Sequence, residues 1–250
     1  METIDPAFVC RRCSRRLSNR TETLRCPDCD ETIPVVDDIP RFPVPDAESS
    51  TGSTFDWLAP IYETPLWFRP LYRFVGGPTA PVDDRSTVAE LLDPDGRSVL
   101  DVACGTGRFT RAIDAASVTG IDVSDGMLER ARRYGAGDAR FARMSADRLW
   151  FDDGSFDRVA CCWALHLLPD VEAALEEMRR VLRSDGSIAG TVLVGEYVLE
   201  ATPVRLVARR TIGAEAFDLE GFRDRLRRAG FGAVTFDRRG AALFFRADAE

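Results

Sequence analysis

Two groups of residues in this 250-residue chain have the types and spacing to do chemistry. The first is Cys10-x2-Cys13 and Cys26-x2-Cys29, with 12 residues between the pairs. Each pair can form a knuckle. Four thiolates make a closed tetrahedral zinc site, structural because no coordination position stays open. The second group is Asp101 and Asp122, 21 residues apart, around the turn Ala103-Cys104-Gly105-Thr106-Gly107. A hydrophobic strand, Val99 to Val102, runs straight into that turn. Its small residues let backbone approach a ligand with no Cβ in the way. A helix starting there would offer free N–H groups. Asp101 can accept from a ligand ammonium or from turn amides. Asp122 closes the next strand and can take both hydroxyls of a ribose. A nicotinamide dinucleotide would want a third Gly at position 110, where Thr110 stands; the spacing Ala103, Gly105, Gly107 suits a single nucleoside.

Alternating elements must position these groups. Strands are expected at 98–102, 117–123, 139–144, 156–163 and 187–194. Helices are expected at 86–92, 107–115, 125–133, 171–182 and 219–229. A final antiparallel pair, 234–238 and 241–245, turns at Gly240. Val171, Ala174, Leu175, Met178 and Leu182 share one helix face. Such alternation predicts an α/β fold with a doubly wound, mostly parallel seven-stranded sheet. Residues 1–40 cannot bury a core unaided and need a metal staple. Residues 41–78 read as a linker followed by aromatic lid helices broken by prolines. Residues 79–250 read as the main domain.

The stretches VLDVACGTGRFT and GIDVSDGMLERAR resemble the first two motifs of class I S-adenosylmethionine-dependent methyltransferases, of the type 11 kind. Residues 146–186 resemble the rest of that core, in register. The likeness covers about 86–194. It implies S-adenosyl-L-methionine as cofactor. Asp101 and the turn Ala103, Gly105 and Gly107 would hold the methionine end. Asp122 would hold the ribose, with Val123 and Met127 on the adenine. Ser145, Ala146 and Asp147 would meet the adenine edge. The family often has an acid where Ser145 stands, which passes the adenine amino contact to Asp147 or to water. Tyr62 resembles a family tyrosine that covers the cofactor carboxylate. Cys162, ending the fourth strand, is counted with the cofactor-binding residues. An activated methyl donor asks the protein mainly to align the reacting atoms and exclude water, so the lack of a catalytic triad is no objection. The N-terminal segment resembles short zinc-ribbons that precede some methyltransferases, rRNA guanine enzymes among them, and free-standing ribbons that activate methyltransferases.

Other features leave alternatives open. His166, the sole histidine, follows the fourth strand and is the candidate catalytic base; it would equally prop the pocket. No Pro precedes Cys161 and Cys162, which reads them as strand packing rather than nucleophiles. Arg11, Arg12, Arg15, Arg16 and Arg20 form either a phosphate-contacting patch or a solvated face balanced by nearby acids. All 33 basic residues are Arg, and the net charge is −8. No apolar run is long enough to span a bilayer, and the first nine residues do not resemble a secretory signal. These point to a cytoplasmic protein. The expected function is methyl transfer to a small molecule. The alternatives are an rRNA or tRNA base methyltransferase that reads RNA through its ribbon, and a non-catalytic scaffold or activator. Oligomeric state has no signature in the sequence.

Overall fold

A computed structural model describes residues 7–20, 22–45, 55–56, 59–60, 84–195 and 216–250. Most of the expected lid segment, Tyr62 included, lies outside the described residues.

The N-terminal unit is a four-stranded antiparallel sheet, in order β1 (Ser18–Arg20), β2 (Thr23–Arg25), β3 (Thr32–Val36) and β4 (Ile39–Pro40). Asp37 and Asp38 join β3 to β4, with φ of 52° and 63°. Left-handed geometry at both central residues matches the twist of a two-residue hairpin, and Asp tolerates it better than a branched residue would.

The main sheet has seven strands in the order β10-β11-β9-β8-β5-β6-β7. Strands β5 (Ser98–Val102), β6 (Ser117–Asp122), β7 (Arg140–Arg143), β8 (Phe156–Cys162) and β9 (Leu182–Leu193) run parallel. The hairpin β10 (Thr235–Arg239) and β11 (Ala242–Asp248) adds to β9 antiparallel. The central strands are buried on both faces, as parallel sheets require. Gly190 of β9 sits opposite Cys161 of β8, where a Cβ would lie 1.9 Å from the Cys161 carbonyl oxygen. Only glycine fits that approach.

Among the described residues four helices flank the sheet: α1 (Asp84–Leu92), α2 (Asp125–Tyr134), α3 (Val171–Val181) and α4 (Leu219–Arg228). Their starts are chemically marked. Ser124, Asp170 and Asp218 each accept from a first-turn amide, at Met127, Ala173 and Gly221. Such caps satisfy amides the helix cannot. Ala174, Leu175, Met178 and Val181 of α3 are the buried stripe.

One expected helix is absent. Residues 107–115 form turns and a short 3-10 segment, Thr110–Ala112. Gly107 has φ 74°, and the Thr110 hydroxyl is bound to Asp101 at 2.6 Å. Left-handed backbone at the start breaks the ladder, and Ile113 is already extended. The fifth parallel strand also begins earlier than expected, at Leu182, because α3 ends directly into it.

The ribbon is locked to the main domain. Val9 N–H donates to the Trp150 carbonyl at 2.9 Å, and Phe42 N–H to the Arg143 carbonyl at 2.9 Å. Phe8, Phe42, Trp150 and Phe151 pack with ring centroids 5.0–5.2 Å apart. Ile39 packs with Leu128 and Ala131 of α2. Arg41 pairs with Asp125 at 3.1 Å.

Candidate cofactor cleft and cysteine centre

The carboxyl ends of β5, β6 and β8 open on a cleft that communicates with solvent. In open α/β sheets ligands bind at this end, where the strand order reverses. Here β5 lies between β6 and β8, and the chain crosses from one side to the other. Ala103 has φ 54°, Gly105 56° and Gly107 74°. This run of left-handed residues folds the backbone into an open turn. A Cβ on Gly105 would meet nothing within 4 Å, so the space beside it is free. Gly107 instead faces α2, its Cβ position 3.1 Å from the Cβ of Ala131.

Asp122 organises the turn. One oxygen accepts from Gly105 N–H at 2.8 Å, the other from Ser124 N–H at 2.9 Å. Asp101 lies beneath, 1 % exposed. Burial pushes its carboxyl up to about 7, partly offset by the Thr110 hydrogen bond, with the nearby Asp122 charge adding to the rise. Burial also raises Asp122, opposed by its amide partners. Among the described residues neither acid pairs with an arginine. A buried and a half-buried carboxylate at one cleft carry a cost that a bound cation would relieve.

Ala103, Gly105, Asp122, Val123, Met127, Ala146 and Cys162 line the cleft. Asp101 and Gly107 stand behind the turn. Ser145 is buried and bonded to Asp147, its hydroxyl donating to that carboxylate, so neither forms the wall. Tyr62 lies outside the described residues. His166 is 6 % exposed, off the lining, with Nδ1 unpartnered among the described residues. Burial lowers it to about 4. Burial likewise raises the Cys162 thiol well above its ordinary value, which disfavours the thiolate a nucleophile needs.

Phe55, from the expected aromatic lid segment, does line the cleft, but sequence reasoning missed the rest of that outer wall: Ala164, Leu167, Leu168 and Pro169. It also missed Asp56, whose carboxylate accepts from Ser124 Oγ at 2.5 Å and Gly126 N–H at 2.7 Å. Gly126 leaves just room, since a Cβ there would sit 3.2 Å from Asp56 Cα. An N–H cluster at the start of α2 was the available signal; nothing in the sequence named its partner.

Residues 100–190 match the family model described as "Methyltransferase domain". The seven-stranded order and the cleft beside Gly105 agree with that match.

Residues 100–190 are a methyltransferase domain.

The methyltransferase domain is 34% identical over 139 residues to the phthiotriol/phenolphthiotriol dimycocerosates methyltransferase of Mycobacterium tuberculosis, covering 51% of this chain and 52% of that protein. It is 40% identical over 118 residues to a demethylmenaquinone methyltransferase of Clavibacter sepedonicus, covering 46% of each. The chain thus spans about half the length of the curated relatives it matches. A solved SAM-dependent methyltransferase of Thermotoga maritima superposes with TM-score 0.62 at 23% identity, over 80% of this chain and all of the other. The fold of the methyltransferase domain implies use of S-adenosylmethionine.

The four thiols of the ribbon converge. Their Sγ atoms all lie within 4.8 Å of one another. Cys10 to Cys29 is 3.6 Å, Cys13 to Cys26 3.2 Å and Cys13 to Cys29 3.8 Å. A tetrahedron with Zn–S of about 2.3 Å needs sulfurs about 3.8 Å apart. The donor set and its spacing therefore fit zinc. Two of the five clustered arginines are committed: Arg11 to Glu177 at 3.3 Å, and Arg15 to Asp28 at 2.5 Å.

Proposed function

We propose that the chain transfers a methyl group from S-adenosylmethionine to an apolar small-molecule acceptor, with a structural zinc in its N-terminal ribbon. The observation that carries this reading is a single cleft with two unlike sides. One side is the open turn at Gly105 with the half-buried Asp122 on the lining and the buried Asp101 behind it. The other is Phe55, Trp163, Leu167, Leu168 and Pro169.

Asp122 takes the ribose hydroxyls, while its bond to Gly105 N–H keeps the turn open for the methionine end. Asp101 supports that turn and, once ionised, faces the positive charge. Val123, Met127 and Ala146 pack the adenine; Ser145 and Asp147, bonded to each other off the cleft lining, brace that wall. The resemblance assigns the carboxylate to Tyr62, which lies outside the described residues. When bound, the sulfonium supplies an activated methyl that leaves without acid catalysis. The apolar wall excludes water and orients the acceptor. His166, neutral and buried, is a poor proton acceptor as it stands. The acceptor is accordingly one that brings its own nucleophile. The names of the curated relatives, a lipid and a quinone precursor methyltransferase, agree with an apolar acceptor. Cys10, Cys13, Cys26 and Cys29 hold the zinc, and the ribbon braces the β7 edge.

Incubation with methyl-labelled S-adenosylmethionine and either a lipid extract or bulk RNA tests the reading. Label in the organic-soluble fraction is expected. Label in RNA alone would instead favour a ribbon that reads RNA, and label in neither would favour a scaffold.

A further inference from the structure

Trp163 stands directly after β8, at the cleft, in a conformation few bulky residues adopt. Its φ is 58°, a left-handed geometry sterically disfavoured for a residue with a Cβ. Strain of this kind persists only where surroundings enforce it, and it gathers at functional sites. The enforcing contacts are visible. Trp163 N–H bonds to the Thr191 carbonyl at 2.8 Å and lies 3.0 Å from its hydroxyl. The indole Nε1–H donates to Asp84 Oδ2 at 3.1 Å. The second Asp84 oxygen accepts from Arg108 at 2.7 Å. Asp84 itself is 1 % exposed. One buried carboxylate therefore ties together α1, the cofactor turn through Arg108, and the tryptophan that walls the cleft.

A buried charge with both oxygens occupied is costly to build and costly to break. Holding the methyltransferase sheet together does not require it, because Val88, Phe109, Cys162, Ala242 and Phe244 already pack that corner. What the carboxylate adds is one fixed orientation for the indole. The rest of the outer wall is Phe55, Leu167, Leu168 and Pro169, with no charged side chain among them. An indole plane in an uncharged wall suits a flat ring by stacking.

We infer that Asp84 is a positioning residue that sets Trp163 as a stacking wall for a planar aromatic acceptor. This rests on the proposed methyltransferase function and deepens it by naming the acceptor class.

The test is calorimetry on the full, zinc-loaded chain, first with S-adenosylhomocysteine and then, in its presence, with 1-naphthol and decan-1-ol. The chain is expected to bind 1-naphthol and to prefer it over the aliphatic alcohol. Trp163→Leu should weaken 1-naphthol about tenfold, and Asp84→Leu should weaken 1-naphthol about tenfold more than it weakens S-adenosylhomocysteine, which it reaches only through Arg108. Asp84→Asn keeps an oxygen for the indole and should retain most of the 1-naphthol affinity. A merely structural role would move both ligands together, and that result overturns the inference. So does an unchanged 1-naphthol affinity in Trp163→Leu, or an equal affinity for the two alcohols. Should Asp84→Leu not fold, Trp163→Phe takes its place: it keeps a ring but cannot reach Asp84. Severalfold weaker 1-naphthol binding is expected of it, and no weakening overturns the inference. Failure of S-adenosylhomocysteine to bind at all would sink the methyltransferase reading. Its binding without 1-naphthol would sink this inference alone.

Discussion

Asp101 and His166 are both buried and both displaced from their ordinary titration, in opposite directions, and the consequences separate by pH. Asp101 sits near 7 when folded. A cation in the cleft favours its ionised form, so S-adenosylmethionine affinity should fall toward tenfold per unit below about pH 7. For the ligand-free chain the sign reverses. The folded state prefers neutral Asp101, so that stability is complete below about pH 4 and is lost as pH rises through 7. Melting temperature against pH, compared with Asp101→Asn, checks this: the variant should flatten the decline. His166 is held at about 4. Its contribution is full above about 6.5 and is lost as pH falls toward 4. His166→Gln should remove that acid-side loss, and it should leave the methyl-transfer pH profile above 6 unchanged.

At the scale of elements, the close approach of β8 and β9 is the least forgiving feature. Gly190→Ala places a Cβ within 1.9 Å of a carbonyl oxygen. The strands must part, and a loss above about 4 kcal/mol is expected, read as insoluble or non-cooperatively melting protein. The α2 start is milder. Ser124→Ala removes the cap on Met127 and the partner of Asp56, at a cost of about 1 kcal/mol. What could be read from the sequence divides along the same line. The turn 103–107 and its two acids were legible because they lie within one βαβ unit, whose geometry is local. The cysteine pairs were legible because a knuckle fixes its own spacing. The helix expected at 107–115 was not, since nothing in the sequence marked the left-handed Gly107 or the threonine claimed by Asp101. Asp84 and Trp163, 79 residues apart, and Asp56 with Ser124, 68 apart, carried no local signal. Only the packed sheet brings them together.

At the scale of the whole molecule, the ribbon is part of the scaffold. It pairs with residues 143 and 150–151 and packs on α2, and these are continuous with cleft residues Met127, Met144 and Ala146. Metal removal by a strong chelator should therefore do more than unfold residues 7–40. It should also lower the melting temperature of the main domain, and Cys26→Ser should reproduce the effect. An unaltered main-domain transition after complete metal loss would show that the two units are energetically separate. Among the described residues no helix is long and apolar enough to cross a membrane.

Asp101 and Asp122, the acids around the Gly105 turn, must seat an adenosyl ligand if the chain is a methyltransferase. Calorimetric titration of the zinc-loaded chain with S-adenosylmethionine, beside Asp122→Asn, measures this directly. One-to-one binding is predicted, weakened by about tenfold to a hundredfold in the variant, the worth of charge-assisted hydrogen bonds. No binding by a folded, metal-loaded chain, or equal binding by the variant, would contradict it.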